Sequence, residues 1–135
     1  MSKAFKITIV TAEQQVYDGE AVSVILPGLS GYLGVLANHA PLVTALVPGV
    51  LTIRTDDSNT EYLAIGTGFV EIANNAMSIM CDSCEKAVDI DVNRAEGARD
   101  RAAKRLADNG SGLDKPRAQM SLDRARARIQ ANLMK

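Results

Sequence analysis

Aromatic side chains run out at Phe69. All five of them (Phe5, Tyr17, Tyr32, Tyr62 and Phe69) lie in the first 85 residues of this 135-residue chain, and the last 50 have none. Histidine occurs once, as His39, and cysteine twice, as Cys81 and Cys84. No apolar run approaches the roughly 18 to 20 residues that cross a bilayer. The short run Ile7-Thr8-Ile9-Val10 after Met1-Ser2-Lys3-Ala4-Phe5-Lys6 does not read as a secretory signal. Each shortage removes a class of function. A structural zinc site needs four ligands, and one Cys-x-x-Cys without a second pair falls short. A thioredoxin-like site needs a strand-to-helix turn in a βαβ setting, which the pattern lacks. Cys81 and Cys84 therefore read as ordinary thiols at a strand end. His39 has no nucleophile or paired carboxylate beside it in the sequence, so it reads as a loop histidine satisfied by backbone rather than a catalytic base. The expectation is a soluble, cytosolic protein with no catalytic residues and no metal.

What is present is divided. Residues 1–85 hold three bases (Lys3, Lys6, Arg54) against nine acids, a formal charge of −6. Residues 86–135 hold twelve bases against seven acids, or +5. The first part is rich in Val, Ile, Thr and Gly and is long enough to close a small core. The second is built from Ala, Arg, Asp and Leu and needs a surface to lie on. A basic segment beside an acidic body folds back on that body or reaches for an acidic or phosphate-bearing partner.

Phe5-Lys6-Ile7-Thr8-Ile9-Val10 alternates and predicts a half-buried strand. Residues 20–26 predict another, stopped by Pro27-Gly28. Residues 31–41, punctuated by Gly31, Gly34, Asn38 and Pro41, read as a loop. Strands are expected over 42–46, 50–55, 62–65, 68–72 and 76–81, with turns at Pro48-Gly49, over 56–59 and at Asn74-Asn75. Gly66-x-Gly68 lacks the remaining glycines and helix of a dinucleotide site and reads as a strand bend. Short strands at regular spacing predict a β-sandwich or barrel. After residue 86 the pattern turns helical. Asp89 or Asp91 can cap a first helix running to about residue 107. Asp108-Asn109-Gly110-Ser111-Gly112 is a helix stop. Asp114 can cap a second helix, with Pro116 in its first turn, running to about residue 133. A short loop makes the two an antiparallel hairpin. The fold class is thus α+β in two parts: residues 1–86, a sandwich, and residues 87–135, a helical hairpin.

On a helical wheel, Val92, Ala95, Ala102 and Leu106 form the apolar stripe of the first helix, with Arg94, Arg101 and Arg105 on one flank. In the second helix the stripe is Ala118, Leu122, Ala125, Ile129 and Leu133, with Arg117, Arg124 and Arg128 on the matching flank. Both rows are spaced seven and four apart. In an antiparallel pair equivalent flanks meet, so the rows converge. Arg suits bidentate phosphate recognition. A solvated basic face with local partners such as Asp91, Asp100 and Asp123 is the competing reading, and periodicity alone does not choose between a phosphate ligand and an acidic protein surface.

At Ile90-Asp91-Val92-Asn93-Arg94-Ala95 the sequence resembles the epsilon subunit family of F-type ATP synthases, which carries an Ile/Leu-Asp-x-x-Arg-Ala motif at the start of its first C-terminal helix. The likeness extends to Val24-Ile25-Leu26-Pro27-Gly28, to Gly31-Tyr32-Leu33-Gly34-Val35-Leu36-Ala37-Asn38-His39-Ala40-Pro41-Leu42 and to Gly66-Thr67-Gly68-Phe69-Val70-Glu71. The resemblance implies a sandwich of about ten strands followed by the hairpin. It implies a non-catalytic rotor subunit that binds the gamma subunit and the c-ring and couples proton translocation to ATP synthesis. The hairpin would lie folded on the sandwich or extend to the alpha/beta catalytic head and inhibit ATP hydrolysis. Such a subunit is peripheral, on the cytoplasmic side of an energy-transducing membrane. No cofactor is required, but in some members ATP binds the folded hairpin. By position, the nucleotide-contacting residues carried over are Glu85, Ile90, Asp91, Arg94, Ala95, Arg101, Arg124 and Arg128. Those carried over for stalk and c-ring contact are Ser30, Tyr32 and His39. The alternative, a nucleic-acid module using the basic hairpin, is opposed by the missing aromatics, the acidic first part and the net charge of −1, and nucleic acid is not expected as a partner. A small β-fold enzyme lacks a catalytic constellation.

Overall fold

The computed structural model describes residues 3–108, 112 and 114–135. Ten strands precede two helices: β1 Phe5–Val10, β2 Gln15–Ala21, β3 Ser23–Gly28, β4 Gly31–Leu36, β5 Leu42–Leu46, β6 Gly49–Arg54, β7 Thr60–Ile65, β8 Gly68–Ala73, β9 Ala76–Cys81 and β10 Cys84–Lys86, then a 3-10 turn Ala87–Asp89, α1 Val92–Asp108 and α2 Lys115–Met134. One layer runs β10-β7-β6-β3, with β4 on the outer edge of β3, and the other β5-β8-β9-β1-β2. The layers meet where Gly28 of β3 pairs with Leu46 of β5. Pairing is antiparallel except between β1 and β9. Alternation puts Phe5, Ile7 and Ile9 of β1, Leu51 and Ile53 of β6, and Met77 and Ile79 of β9 into one core between the layers. No helix among the described residues is long and apolar enough to cross a membrane.

One corner of the sandwich positions the site. The β7–β10 and β8–β9 ladders share a single register: Ile65 faces Cys84, and Gly68 faces Cys81. Between them Gly66 N–H donates to the Ser83 carbonyl at 3.0 Å and Asp82 N–H to the Thr67 carbonyl at 2.9 Å. The chain is therefore one long hairpin bent from one layer into the other. Gly66 and Gly68 stand where the two bent strands touch. A Cβ on Gly66 would collide with the Asp82 side chain, and one on Gly68 with the Met80 carbonyl oxygen. Their role is the strand bend expected from sequence.

Other expectations need correction. Residues 31–36 form β4, not loop. Gly31 and Gly34 suggested irregular chain, yet all six residues pair with β3, and inward Leu33 and Val35 pack on the core. Pro27-Gly28 does not stop β3. Pro27 lacks an N–H, but its carbonyl still accepts from Val47 N–H at 3.0 Å. The strand expected over 20–26 is split at Val22, and β2, with its unpromising Asp18-Gly19-Glu20, exists because β1 pairs with it along its length. The three-residue β10 is too short to carry a period. Asn74 and Asn75 turn with φ of 51° and 56°, left-handed values that asparagine tolerates.

Asp91 caps α1, accepting from Arg94 N–H at 3.2 Å, and Asp114 caps α2, accepting from Arg117 N–H at 3.1 Å. The helix stop assigned to Asn109, Gly110 and Ser111 lies outside the described residues. The hairpin is folded onto the sandwich, with α2 on β6 and β7 and α1 against α2. Ala95 and Ala102 of α1 and Ala118, Leu122 and Ala125 of α2 are buried as the stripes predict. The stripe of α2 fails at its end, where Leu133 is 73% exposed, because α1 begins at Val92 and the last turn of α2 has no partner there. A second buried face was missed. Ala127 and Ala131 pack on Val50, Ala64, Ala87 and Ile90, beside Tyr62. A helix buried on two sides needs small residues, and alanine gives little signal on a wheel. Each alanine methyl in this contact contributes only about 0.8 kcal/mol, less than a fully buried Leu or Ile would.

Candidate functional site

The residues between β10 and α1 form the floor of the site. Ile90, 7% exposed, anchors the linker in the small docking cluster. Immediately after it the chain enters α1, so Arg94 and Ala95 lie one helical turn above Asp91. From the other side, α2 brings Arg128 over β10, where its Nε donates to Glu85 Oε1 at 3.1 Å. Both partners are more than a third exposed, so the pair contributes at most about 1 kcal/mol. Its larger effect is geometric, since it orients the Arg128 guanidinium.

These residues enclose a cleft of about 320 Å³ lined by Glu85, Asp89, Ile90, Asp91, Arg94, Ala95 and Arg128. A second cleft of about 270 Å³ adjoins it. The turn after β1, the corner residues Asp82 to Glu85, Arg124 and Arg128 line that one. Glu85 and Arg128 belong to both, so their ion pair forms the shared wall. The first cleft holds three carboxylates against two guanidinium groups, and Arg124 adds a cation just beyond the wall. Carboxylates and guanidinium groups thus line the two clefts together.

Six of the eight residues singled out at the motif and helices come together in the first cleft, and Arg124 joins through the second. Arg101 does not. It lies two turns along α1, with Nη1 only 3.2 Å from where a Gly97 Cβ would stand. Arg105 and Arg117 meet instead at the far end of the hairpin, in a recess of about 330 Å³ with Gly112 and Asp114. The two flanks do face each other, but as a row about 16 Å long, eleven residues at 1.5 Å each, not as one cluster. The local acids offered as partners are otherwise engaged. Asp91 caps α1, Asp100 pairs with Arg99 at 3.1 Å, and Asp123 accepts from Gln119 at 2.9 Å. Arg124 Nη2 donates to Ser121 Oγ at 3.4 Å. From the sequence Asp89 offers itself only as a helix cap. Once Asp91 takes that role, Asp89 is left lining the cleft, and its place next to the Ile-Asp motif was the available signal.

Ser30, Tyr32 and His39 are not brought together. Ser30 is exposed in the β3–β4 turn. Tyr32 is the second residue of β4, and its hydroxyl accepts from Val50 N–H at 3.1 Å, beside Arg126, Ala127 and Gln130 of α2. His39 follows β4 at the opposite end. There Asn38 N–H donates to Asn75 Oδ1 at 2.7 Å and His39 Nδ1 lies 2.7 Å from the Ala40 carbonyl oxygen.

Two family models match successive stretches of the chain. The family model described as ATP synthase, Delta/Epsilon chain, beta-sandwich domain matches residues 4–87. The one described as ATP synthase, Delta/Epsilon chain, long alpha-helix domain matches residues 89–132. An ATP synthase epsilon chain of Moorella thermoacetica is 44% identical over 95% of this chain and 96% of its own length. That of Clostridium kluyveri is 41% identical over the whole of both. The chloroplastic epsilon chain of Pyropia yezoensis is 41% identical over 93% and 92%. Among solved structures, a chain of the Euglena gracilis mitochondrial ATP synthase, in its OSCP/F1/c-ring assembly, superposes with TM-score 0.81 at 18% identity, covering 94% of this chain and 79% of that one. A chain of the Tetrahymena thermophila central stalk and c-ring gives 0.63 at 16%, covering 94% and 95%. At those identities the likeness is one of fold.

Proposed function

The chain belongs to the ATP synthase delta/epsilon chain family, and on that premise we propose that it works as the epsilon-type subunit of a rotary ATP synthase with a nucleotide-sensing hairpin. Its role is that of a non-catalytic central-stalk subunit in a membrane-associated complex. The observation that carries this reading is the match of both parts, sandwich and hairpin, to the family along nearly the whole chain. Its partners are the gamma subunit and the c-ring, with the alpha/beta head reached when the hairpin extends, and it sits on the cytoplasmic side. The shallow, alanine-rich docking of α2 supports a hairpin that leaves the sandwich at modest cost.

The ligand of the folded state is ATP. The cleft supports this by offering both carboxylates and guanidinium groups. Asp91 and Asp89 offer carboxylate oxygens to an adenine amino group, while Arg94, Arg128 and Arg124 offer guanidinium groups to phosphates. A bound nucleotide would bridge α1, α2 and the linker and so hold the hairpin down. Mixing the chain with purified gamma subunit and c-ring and separating by size tests the assembly. Co-elution with gamma is expected, and separate elution would contradict the assignment whatever the outcome with ATP.

A further inference from the structure

Gly97 lies in the interior of α1, half-buried. Glycine there destabilises a helix relative to alanine, so its presence needs a reason. Close approach of α2 is not the reason. Beyond the adjacent residues and the helix's own backbone, one described atom lies within 4 Å of where a Gly97 Cβ would stand. It is Arg101 Nη1, at 3.2 Å.

Helical side chains lean toward the N-terminus, and positions four apart share a face. Arg101 follows this rule over a full turn, so that its guanidinium lies back over Gly97. Along the axis the Arg101 Cα stands about 10.5 Å past Arg94, and Gly97 only about 4.5 Å past it. The fold-back therefore returns the charge about 6 Å toward the first cleft, along the flank that Arg94 occupies. A methyl at position 97 would stand inside contact distance of that nitrogen and close the path. Arg101 is exposed and makes none of the ion pairs formed among the described residues. Asp100 beside it is taken by Arg99.

We propose that Gly97 is a positioning residue for nucleotide binding: the groove it leaves in α1 lets Arg101 fold back to the rim of the first cleft and bind phosphate beside Arg94. The inference rests on the ATP reading of that cleft. Arg101 acts by a charge-assisted hydrogen bond to the phosphates, and Gly97 acts only through Arg101. The groove gives Arg101 a route to the ligand that the place of its Cα denies it. Two consequences then oppose each other. Alanine at position 97 strengthens the helix and weakens the ligand. A glycine without this role would move both in the same direction, because the ligand binds the folded hairpin.

The test is calorimetric titration of the full chain with ATP, with thermal unfolding of the same samples in the absence of nucleotide. Gly97→Ala should raise Tm yet weaken ATP binding about two- to fivefold, the factor for displacing a partly exposed charge contact. Arg101→Ala should weaken it about fivefold or more. Adding Gly97→Ala to Arg101→Ala should cost no further affinity, since the glycine then has nothing to position. Equal or tighter ATP binding in Gly97→Ala overturns the inference, as does a further loss in the double variant. A wild type that binds no ATP overturns the ATP reading and this inference with it. ATP bound alike by the wild type and both single variants overturns this inference alone.

Discussion

Tyr17 joins the two layers at their open edge. Its hydroxyl donates from β2 to Glu61 Oε2 of β7 at 3.1 Å. Burial first, then the Glu61 charge and this hydrogen bond, push its phenol up from 10.0 to about 12. The raised value means the folded state prefers the neutral phenol. The associated stability is complete below the unfolded value of 10.0 and is lost as pH rises through about 12. In an ultraviolet titration Tyr17 should ionise above the ordinary tyrosine value of 10.0, and Glu61→Gln should lower its midpoint. An unmoved midpoint would mean that Glu61 has no part in the shift. None of this was legible in the sequence, since Tyr17 and Glu61 are 44 positions apart and only the sandwich topology joins them. The motif residues were legible to the extent that they are local. Asp91, Arg94 and Ala95 sit on one helical turn, whereas Glu85 meets Arg128 only because α2 folds back.

The hairpin helices contrast in how much they need packing. α1 carries Gly97 in its interior, half-buried, with only the flexible end of Arg101 near its missing Cβ. Gly97→Ala should therefore stabilise the folded chain by about 0.5–1 kcal/mol, read as an upward shift of Tm, while Arg101 swings aside. A loss of stability would mean that the gap over Gly97 is needed. At the start of α2, Asp114→Ala removes the cap on Arg117 N–H and should cost about 1 kcal/mol, measurable by urea unfolding. Strand β4 shows the limit of reading elements by composition. Two glycines made it look irregular, and full pairing with β3 outweighed them. The α2 cap was legible because Asp114 directly precedes a helical run, whereas the sequence left Asp89 and Asp91 open for α1 and the structure takes Asp91. The second buried face of α2 was not, because burying alanine leaves no amphipathic trace.

At the scale of the molecule, the sandwich closes its own core from residues of β1 to β9, with no helical residue in that cluster. A chain ending at Val88 should fold, retain binding to the gamma subunit and lose any inhibition of ATP hydrolysis. Loss of gamma binding in a folded truncated chain would contradict the division of labour. That division was visible in the opposed charges of the two parts, but the charges left open whether the second part folds back on the first or reaches for another partner. The central claim is that the folded hairpin holds ATP. Calorimetric titration of the full chain with ATP, beside Arg94→Ala, tests it most directly. Arg94 lines the cleft but makes none of the ion pairs formed among the described residues, so its removal should leave the docking intact. Saturable one-to-one binding is expected, weakened about tenfold or more in Arg94→Ala through loss of a charge-assisted contact. Absence of saturable binding, or equal affinity in the variant, would contradict it.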